Sequence, residues 1–293
     1  MASRTEARSG IKGVARPVCM RFERQRLKDE WIDVASVWVT SETDAGDQQK
    51  TVLGVNSLAS GVRHARRYEE ALVPAREALD LYGALGDRQG QGVALNNYAN
   101  ILQDLRRFDE AIAQYKANIE ICQESNDEVG EAQALADLIG VLVKDRRVPE
   151  ALAAVERAHA IFVDTGDEPG RAQALNNMGS ILQTAENWDA AMVKHQEAAD
   201  AYHQIGDEYR ECGARSNFGT AMLGKRPDYA IEIFGRVNKL AHRLNNAHLE
   251  AKVLDDIGLA HLRVGRVGDA IRSHPGGTPA PPTQTCRFRP VPP

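Results

Sequence analysis

Several features that would mark an enzyme, a metal protein or a membrane protein are missing from this sequence. No stretch of about 18 consecutive apolar residues occurs, so we expect no transmembrane helix. The four cysteines show no Cys-x-x-Cys spacing, which argues against a zinc site or a disulfide framework and favours reduced thiols in a cytoplasmic protein. Phosphate-binding loops and the common hydrolase and zinc-protease motifs are also lacking. We therefore expect no catalytic activity, no cofactor and no bound metal.

Positive charge is scarce relative to negative charge. The chain has 36 Lys and Arg against 41 Asp and Glu, which gives a formal net charge of −5. Proteins that bind nucleic acids usually carry a basic surplus, so we expect no nucleic-acid partner. Aromatic residues make up only 5% of the chain, as is typical of helices that pack closely through small side chains.

The sequence does contain an internal repeat of about 40 residues, and its clearest copy is 86–125. Repetition at a fixed period indicates a solenoid, in which each unit contacts its sequence neighbours. The residues that open successive units, at spacings of 40, 40, 40, 40 and 39, are Asp47, Asp87, Asp127, Asp167, Asp207 and Asn246. A second series inside the units is Ala71, Ala111, Ala151, Ala191, Ala230 and Ala270.

Each full unit has the pattern of two helices joined by a short turn. In the clearest copy we predict helices at 87–103 and 108–123, since apolar residues recur there every three or four positions. Gly or Asn at the end of a unit suits the left-handed residue that follows a helix. The Asp that comes next is a favourable N-cap for the following helix.

The large and small residues of these helices are spaced as in the tetratricopeptide repeat, which the chain resembles. The residues that carry the resemblance are Leu95, Tyr98, Ala99, Leu102, Ala111 and Tyr115. The period of about 40 is similar to the long-repeat subclass found in kinesin light chain, in Gα-binding adaptors and in C-terminal arrays of bacterial regulatory NTPases. The resemblance implies an all-α, right-handed superhelical solenoid of antiparallel helix pairs, with the first helix of each pair on the concave surface.

The repeat register predicts the domain organisation. We expect a basic, disordered leader at 1–25, with a transit peptide or an acidic-partner contact as alternatives, and a disordered Pro-rich tail at 275–293 that a truncation or frame change could have produced. The solenoid between them, 26–274, comprises a half-unit 26–46, full units 47–86, 87–126, 127–166, 167–206 and 207–245, and a partial unit 246–274.

Three places depart from the repeat. Trp31 and Trp38 stand where later units have Ala, which favours a capping role for the half-unit helix, with docking on an upstream domain as the alternative. Ile139 occupies a position that is small elsewhere, and the turn at 225–227 is one residue short. We expect a different packing angle at the short turn.

A column of polar residues on the first helices is the most suggestive functional feature. Asn and Gln carry both a donor and an acceptor, so they can bind the backbone of an extended peptide whatever its side chains. Alternatively, the same side chains bond neighbouring helices and serve the fold. The candidate groove residues are Asn96, Asn97, Asn100, Gln103, Asp137, Lys144, Asn176, Asn177, Ser180, Gln183, Ser216, Asn217 and Thr220.

These observations favour a scaffold that binds a protein or an extended peptide in a concave groove. We expect Lys144 to be the only strong cation there, and Asn100, Ser180 and Thr220 to point away from the partner helix. One alternative is the sensor of a larger NTPase or transcriptional regulator whose upstream domain is absent. Another is an oligomerisation module, since the sequence does not define the oligomeric state.

Overall fold

The computed structural model describes residues 28–273, so the predicted leader (1–25) and tail (275–293) lie outside the described residues. Thirteen helices and no strand occur within residues 28–273, and the predicted all-α solenoid fold is confirmed. The helices are α1 (Lys28–Ala45), α2 (Gln48–His64), α3 (Tyr68–Leu85), α4 (Arg88–Asp104), α5 (Phe108–Glu124), α6 (Glu128–Lys144), α7 (Val148–Thr165), α8 (Glu168–Thr184), α9 (Trp188–Gln204), α10 (Glu208–Met222), α11 (Pro227–Arg243), α12 (Ala247–Arg263) and α13 (Val267–Ser273).

The helices belong to two compact units, which divide within α7 between Ile161 and Phe162. In unit 1, each helix from α1 to α6 packs against the next one, and α2 also contacts α4. In unit 2, α8 to α13 pack in the same sequential order, and α8 also contacts α10. Each unit therefore contains helix pairs in which the first helix of one pair contacts the first helix of the next.

Polar residues at the start of each repeat define where the first helices begin. In the clearest repeat, α4 and α5 begin and end within one residue of the predicted limits. A side-chain oxygen of each opening residue accepts the backbone N–H three residues later, at 2.8–3.1 Å. Such an N-cap contributes about 1 kcal/mol to helix stability. The six N-caps are Asp47, Asp87, Asp127, Asp167, Asp207 and Asn246.

The turns use left-handed backbone conformations at both ends of the helix pair. After the second helices these fall on Gly or Asn, as predicted: Gly46, Gly86, Asn126, Gly166, Gly206 and Asn245. After several first helices they fall on residues with long side chains, which the sequence did not predict: Arg66, Arg106, Arg146 and Glu186. A positive φ is unfavourable for such residues because Cβ approaches the backbone. Backbone hydrogen bonds close these turns, such as those from Arg106 N–H to the Gln103 carbonyl at 3.0 Å and from Arg107 N–H to the Leu102 carbonyl at 2.9 Å.

Side chains of complementary size meet at one buried position between the two helices of a pair. A Cβ atom at Gly179 would lie 2.6 Å from the ring of His195, and one at Gly219 would lie 2.6 Å from the ring of Phe234. Glycine on the first helix thus makes room for a large ring on the second.

Ile139 obeys the same rule, although its size is unusual for the first helix. The residue on the second helix that matches His195 in the 40-residue register is Val155. Ile139 and Val155 are 6% and 1% exposed. Two buried residues of medium size therefore stand where Gly179 and His195 stand one repeat later.

Glycines on α2 explain the two tryptophans of α1. Trp31 and Trp38 are each 4% exposed. The indole of Trp31 lies over Gly61 and that of Trp38 lies near Gly54, where a Cβ atom would come within 3.2 and 3.5 Å of the rings. Trp31 Nε1 also donates a hydrogen bond to Ser57 Oγ at 3.0 Å, so its polar atom is satisfied.

His195 is the polar member of the size-matched positions. Its side chain is 0% exposed, and its Nδ1 lies 2.9 Å from Asn176 Oδ1. Burial lowers the pKa of His195 to about 4, so the ring is neutral at pH 7 and Nδ1–H donates to the amide oxygen. Within residues 28–273, Nε2 has no hydrogen-bond partner. Protonation would place a charge in this dry position and is therefore unfavourable.

The left-handed turn at Glu186 generates a first prediction. Glu186 has φ 59° and makes no ion pair within the described residues. We expect Glu186→Gly to raise the free energy of unfolding by roughly 0.5–1 kcal/mol, because glycine adopts this conformation without steric cost. The measurement is urea denaturation. The neighbour Ala185 has φ −86°, so Ala185→Gly should destabilise the protein. A loss of stability in both variants would contradict this account of the turn.

The buried His195 generates a second prediction, on pH. Its pKa is lower in the folded protein than its ordinary value of 6.5, so the unfolded chain binds the proton more tightly. Stability should therefore fall as the pH drops from 6.5 towards 4, and a shift of this size corresponds to about 3 kcal/mol.

The matched variant for this test is His195→Phe, because Phe234 already occupies the same register position opposite Gly219. Urea denaturation at several pH values should show a smaller loss of stability between pH 6.5 and 4 in the variant than in the wild type. Equal losses in the two proteins would show that His195 does not cause the pH dependence.

Candidate functional site

The predicted polar column lies on what we call the first-helix face, formed by α2, α4 and α6 in unit 1 and by α8, α10 and α12 in unit 2. In unit 1, Asn97 Nδ2 on α4 donates a hydrogen bond to Asn56 Oδ1 on α2 at 2.8 Å. One repeat later, Asn96 on α4 donates to the carboxyl group of Asp137 on α6. Side-chain hydrogen bonds thus connect successive first helices.

Unit 2 repeats this arrangement. Asn217 Nδ2 on α10 donates to Asn176 Oδ1 on α8 at 3.2 Å, and Gln183 Nε2 donates to the Asn217 carbonyl at 3.1 Å. Ser216, which is 0% exposed, donates through Oγ to Asp256 Oδ2 on α12 at 3.0 Å. Both units therefore use column residues to connect their repeats.

We predicted that Asn100, Ser180 and Thr220 point away from the partner helix, and for Asn100 this prediction is wrong. Asn100 Oδ1 accepts a hydrogen bond from the Tyr115 hydroxyl at 3.1 Å, so it faces the second helix of its own repeat. Ser180 and Thr220 are exposed, and each donates its hydroxyl to the carbonyl oxygen four residues earlier at 3.1 Å. Their side chains are therefore engaged by their own helices.

Three further predicted residues make no side-chain bond that connects repeats. Gln103 and Asn177 are half-buried on their first helices, and Lys144 is exposed at the end of α6. The expectation that Lys144 is the only strong cation of this face is wrong, because Arg63 also lies there. Arg63 Nε donates to Asp104 Oδ2 at 2.6 Å, which connects α2 to α4.

Arg63 escaped prediction although the register pointed to it. It lies 40 residues before Gln103, which is a predicted groove residue. The side chains of Arg63 and Asp104 are 28% and 27% exposed, so they are partly removed from solvent. Arg63 stands at a column position, and the carboxylate of Asp104 follows it 41 residues later. This spacing of opposite charges could have identified the ion pair from the sequence.

Burial controls the ionisation of the groups near Arg63. Burial raises the pKa of Asp137, while hydrogen bonds from Asn96 and Gln133 and the charge of Arg63 act in the opposite direction. Burial, together with the nearby Asp137, raises the pKa of Tyr115. The Tyr115 hydroxyl is therefore protonated at neutral pH and can donate its hydrogen bond to Asn100.

A cavity of about 720 Å³ opens on the first-helix face of unit 1. Polar groups from α2 and α4 line it, together with Trp31 and Trp38 of α1, and its apolar residues include Leu53 and Val93. Val93 is 50% exposed although it is apolar. The polar lining includes Asn56, Ser57, Ser60, Arg63, His64, Gln89 and Asn97.

The Asn56–Asn97 pair gives this cavity a definite hydrogen-bonding capacity. The pair uses one amide N–H of Asn97 and the amide oxygen of Asn56. The Nδ2 group of Asn56 and the Oδ1 atom of Asn97 have no other partner within residues 28–273. The pair therefore presents a donor and an acceptor next to each other, which matches the C=O and N–H groups of a peptide backbone.

The described residues contain little that could hold a metal. No group of three or more His, Cys, Asp or Glu side chains comes together within residues 28–273. Cys122 and Cys212 are free and buried. Among the same residues, none of the helices has the length and apolar character that crossing a membrane requires.

Residues 69–262, more than half of the chain, match the family model of the soluble NSF attachment protein, SNAP. A search of curated proteins found no match. The matched range runs from α3 to α12.

Solved structures show the same fold. One is a signal transduction ATPase with numerous domains and a tetratricopeptide repeat sensor from Pyrococcus horikoshii, with 12% identity and a TM-score of 0.65 over 93% of this chain and 47% of that one. This chain thus spans about half the length of that protein. A putative kinesin light chain with tetratricopeptide-like repeats from Podosopora anserina has 14% identity and a TM-score of 0.58 over 67% of this chain and 97% of that one.

Aspartyl phosphate phosphatase F from Bacillus subtilis is also similar, with 15% identity and a TM-score of 0.57 over 86% of this chain and 66% of that one. At these identities the similarity shows the fold alone. It confirms the predicted resemblance to tetratricopeptide-like repeat proteins.

Proposed function

Because this chain belongs to the soluble NSF attachment protein family and has a tetratricopeptide-like repeat fold, we propose that it is a binding scaffold. Its ligand is an extended segment of a partner protein, bound on the first-helix face of unit 1. The observation that carries the proposal is the Asn56–Asn97 pair in the wall of the 720 Å³ cavity.

The pair suits a backbone better than a particular side chain. An extended segment presents N–H and C=O groups in alternation along each edge. Asn56 Nδ2 donates to one ligand carbonyl, and Asn97 Oδ1 accepts from one ligand N–H. Because these contacts do not depend on the ligand's side chains, they provide affinity and direction without strict sequence selectivity.

Apolar contacts complete the proposed site. Leu53 lies three residues before Asn56, and Val93 lies four residues before Asn97, so each is about one helical turn away. Both residues line the cavity. Ligand side chains that point towards Leu53 and Val93 cover these two residues. Removing apolar surface from water favours binding by roughly 25 cal/mol per Å².

The charged groups of this face are largely neutralised by one another. Arg63 and Asp104 form an ion pair, and burial makes ionisation of Asp137 less favourable. The face therefore carries little net charge to select a strongly charged ligand. The predicted groove residues of unit 2, including Asn177, Ser180 and Thr220, stay sequence predictions and are not contacts of this ligand.

A substitution series tests the proposal. Twelve-residue peptides would first be selected by display on the wild-type protein, and their affinities measured by fluorescence polarisation. Asn56→Ala and Asn97→Ala should each weaken binding by about fivefold, because each removes one hydrogen bond worth about 1 kcal/mol. Methylation of single backbone nitrogens in the peptide should identify one position at which affinity falls by a similar factor.

The matched control is Asn177→Ala, which removes the same side chain at the same register position in unit 2. It should leave affinity for these peptides unchanged. Melting temperatures of all variants separate loss of folding from loss of binding. If Asn56→Ala and Asn97→Ala melt normally and bind like the wild type, the pair serves the fold alone and the proposal fails.

A second candidate is a sensor role within a larger regulatory protein. Its motive is the similarity to a signal transduction ATPase that has a tetratricopeptide repeat sensor, a protein of which this chain covers 47%. Purification from cells with mass spectrometry distinguishes the two: co-purification of one NTPase or transcriptional regulator in a fixed ratio favours the sensor. Light scattering after size-exclusion chromatography tests the third alternative, an oligomerisation module, since a monomer at micromolar concentration argues against it.

A further inference from the structure

A second cavity in unit 1, of about 410 Å³, lies between α3, α4 and α5 and shares no residue with the cavity of the first-helix face. We call it the α3–α5 cavity. The buried residues of its lining are apolar, and its exposed residues include two carboxylates, which therefore lie at its margin. The apolar residues are Leu79, Leu95, Ala117 and Ile121, and the acidic residues are Asp80 and Glu120.

In the next repeat of unit 1, side chains of the chain itself occupy the position that is equivalent to the α3–α5 cavity. Forty residues after Gln91 and Ala117, the chain has Glu131 and Arg157. Arg157 Nε and Nη2 donate to the two carboxylate oxygens of Glu131 at 2.8 and 2.9 Å. Gln123 Nε2 also donates to Glu131 at 2.8 Å. Glu131 is 3% exposed, so an arginine of the chain itself covers this position.

The α3–α5 cavity exists because two of these side chains are missing one repeat earlier. Gly83 corresponds to Gln123, and Ala117 corresponds to Arg157. A Cβ atom at Gly83 would meet only the Gln91 side chain, at 3.0 Å. The volume that an arginine and a glutamine fill in the following repeat is therefore open here.

We propose that the α3–α5 cavity receives an arginine side chain of a partner protein. The methylene groups of an arginine suit the apolar floor, because long cationic side chains bury their stems and keep their heads at the margin. The guanidinium group then lies beside Asp80 and Glu120. Its planar array of donors can bind two acceptors at once, which favours arginine over lysine.

The charges around the margin support a cationic ligand. Glu120 is exposed and makes no ion pair within residues 28–273. Asp80 has only a 3.4 Å contact to Arg76 on the same helix, and both side chains are more than 60% exposed. Arg88, the one cation of the lining, is already paired with Glu124. The cavity margin thus retains unneutralised negative charge.

This inference is independent of the proposed peptide site, and a small probe tests it. Methyl-resolved NMR of the full chain would be titrated with N-acetyl-arginine amide, and with N-acetyl-citrulline amide as the neutral isostere. Arginine amide should shift the Ala117 and Ile121 methyl signals saturably, and citrulline amide should bind at least about fivefold more weakly, since the charge-assisted bonds are lost. Absent shifts, or equal affinities for the two probes, would overturn the proposal.

Two variants and one control sharpen the result. Ala117→Arg combined with Gln91→Glu rebuilds the Arg157–Glu131 pair in the cavity, and should abolish the effect of the probe. If this variant does not fold, Glu120→Lys changes only an exposed residue and should weaken binding by about fivefold or more. Asn97→Ala, on the first-helix face, should leave the titration unchanged. If the Ala117→Arg/Gln91→Glu protein or the Glu120→Lys protein bound the probe as tightly as the wild type, the proposal would be overturned.

Discussion

Hydrogen bonds between the first helices of successive repeats are the interaction on which the first-helix face depends. The amide groups that form these bonds are half-buried, and polar groups that leave water must find partners. In unit 1, Asn97 bonds Asn56, and in unit 2, Asn217 bonds Asn176. Because an amide group has both a donor and an acceptor, it can connect two repeats and still retain one function for a ligand. The structural and the functional interpretations of the column are therefore compatible.

The fold could be predicted almost completely because the residues that begin and end the helices recur in every repeat. Asp and Asn at the unit starts act as N-caps, and Gly or Asn at the unit ends adopts the left-handed conformation, as their chemistry requires. The left-handed conformation of Arg106 or Glu186 was not predictable, since neither side chain favours it. The short turn imposes it, because the backbone hydrogen bonds that close the turn require a left-handed residue whatever its side chain.

The sequence predicted where the polar column lies, but it did not predict which residues its side chains bond. The column lies on the first helices as expected, yet its amide–amide bonds join residues 41 apart, one more than the 40-residue period, as in Asn56–Asn97 and Asn176–Asn217. That offset depends on how neighbouring helices are placed, which a single sequence does not specify. Arg63 was missed for the same reason, since its partner Asp104 is also 41 residues away. Both cavities lie in unit 1, and the α3–α5 cavity arises where Gly83 and Ala117 replace larger residues, so departures from the repeat create it.

The central claim is that the Asn56–Asn97 pair joins two repeats and offers its remaining donor and acceptor to a ligand backbone. The most direct measurement follows the side-chain NH₂ signals of asparagine in ¹⁵N NMR spectra during the addition of a twelve-residue peptide that was selected by display. The account predicts that the Asn56 signals shift in proportion to occupancy, while those of Asn177 in unit 2 stay in place. Saturating binding of the peptide without any change at Asn56 would contradict it.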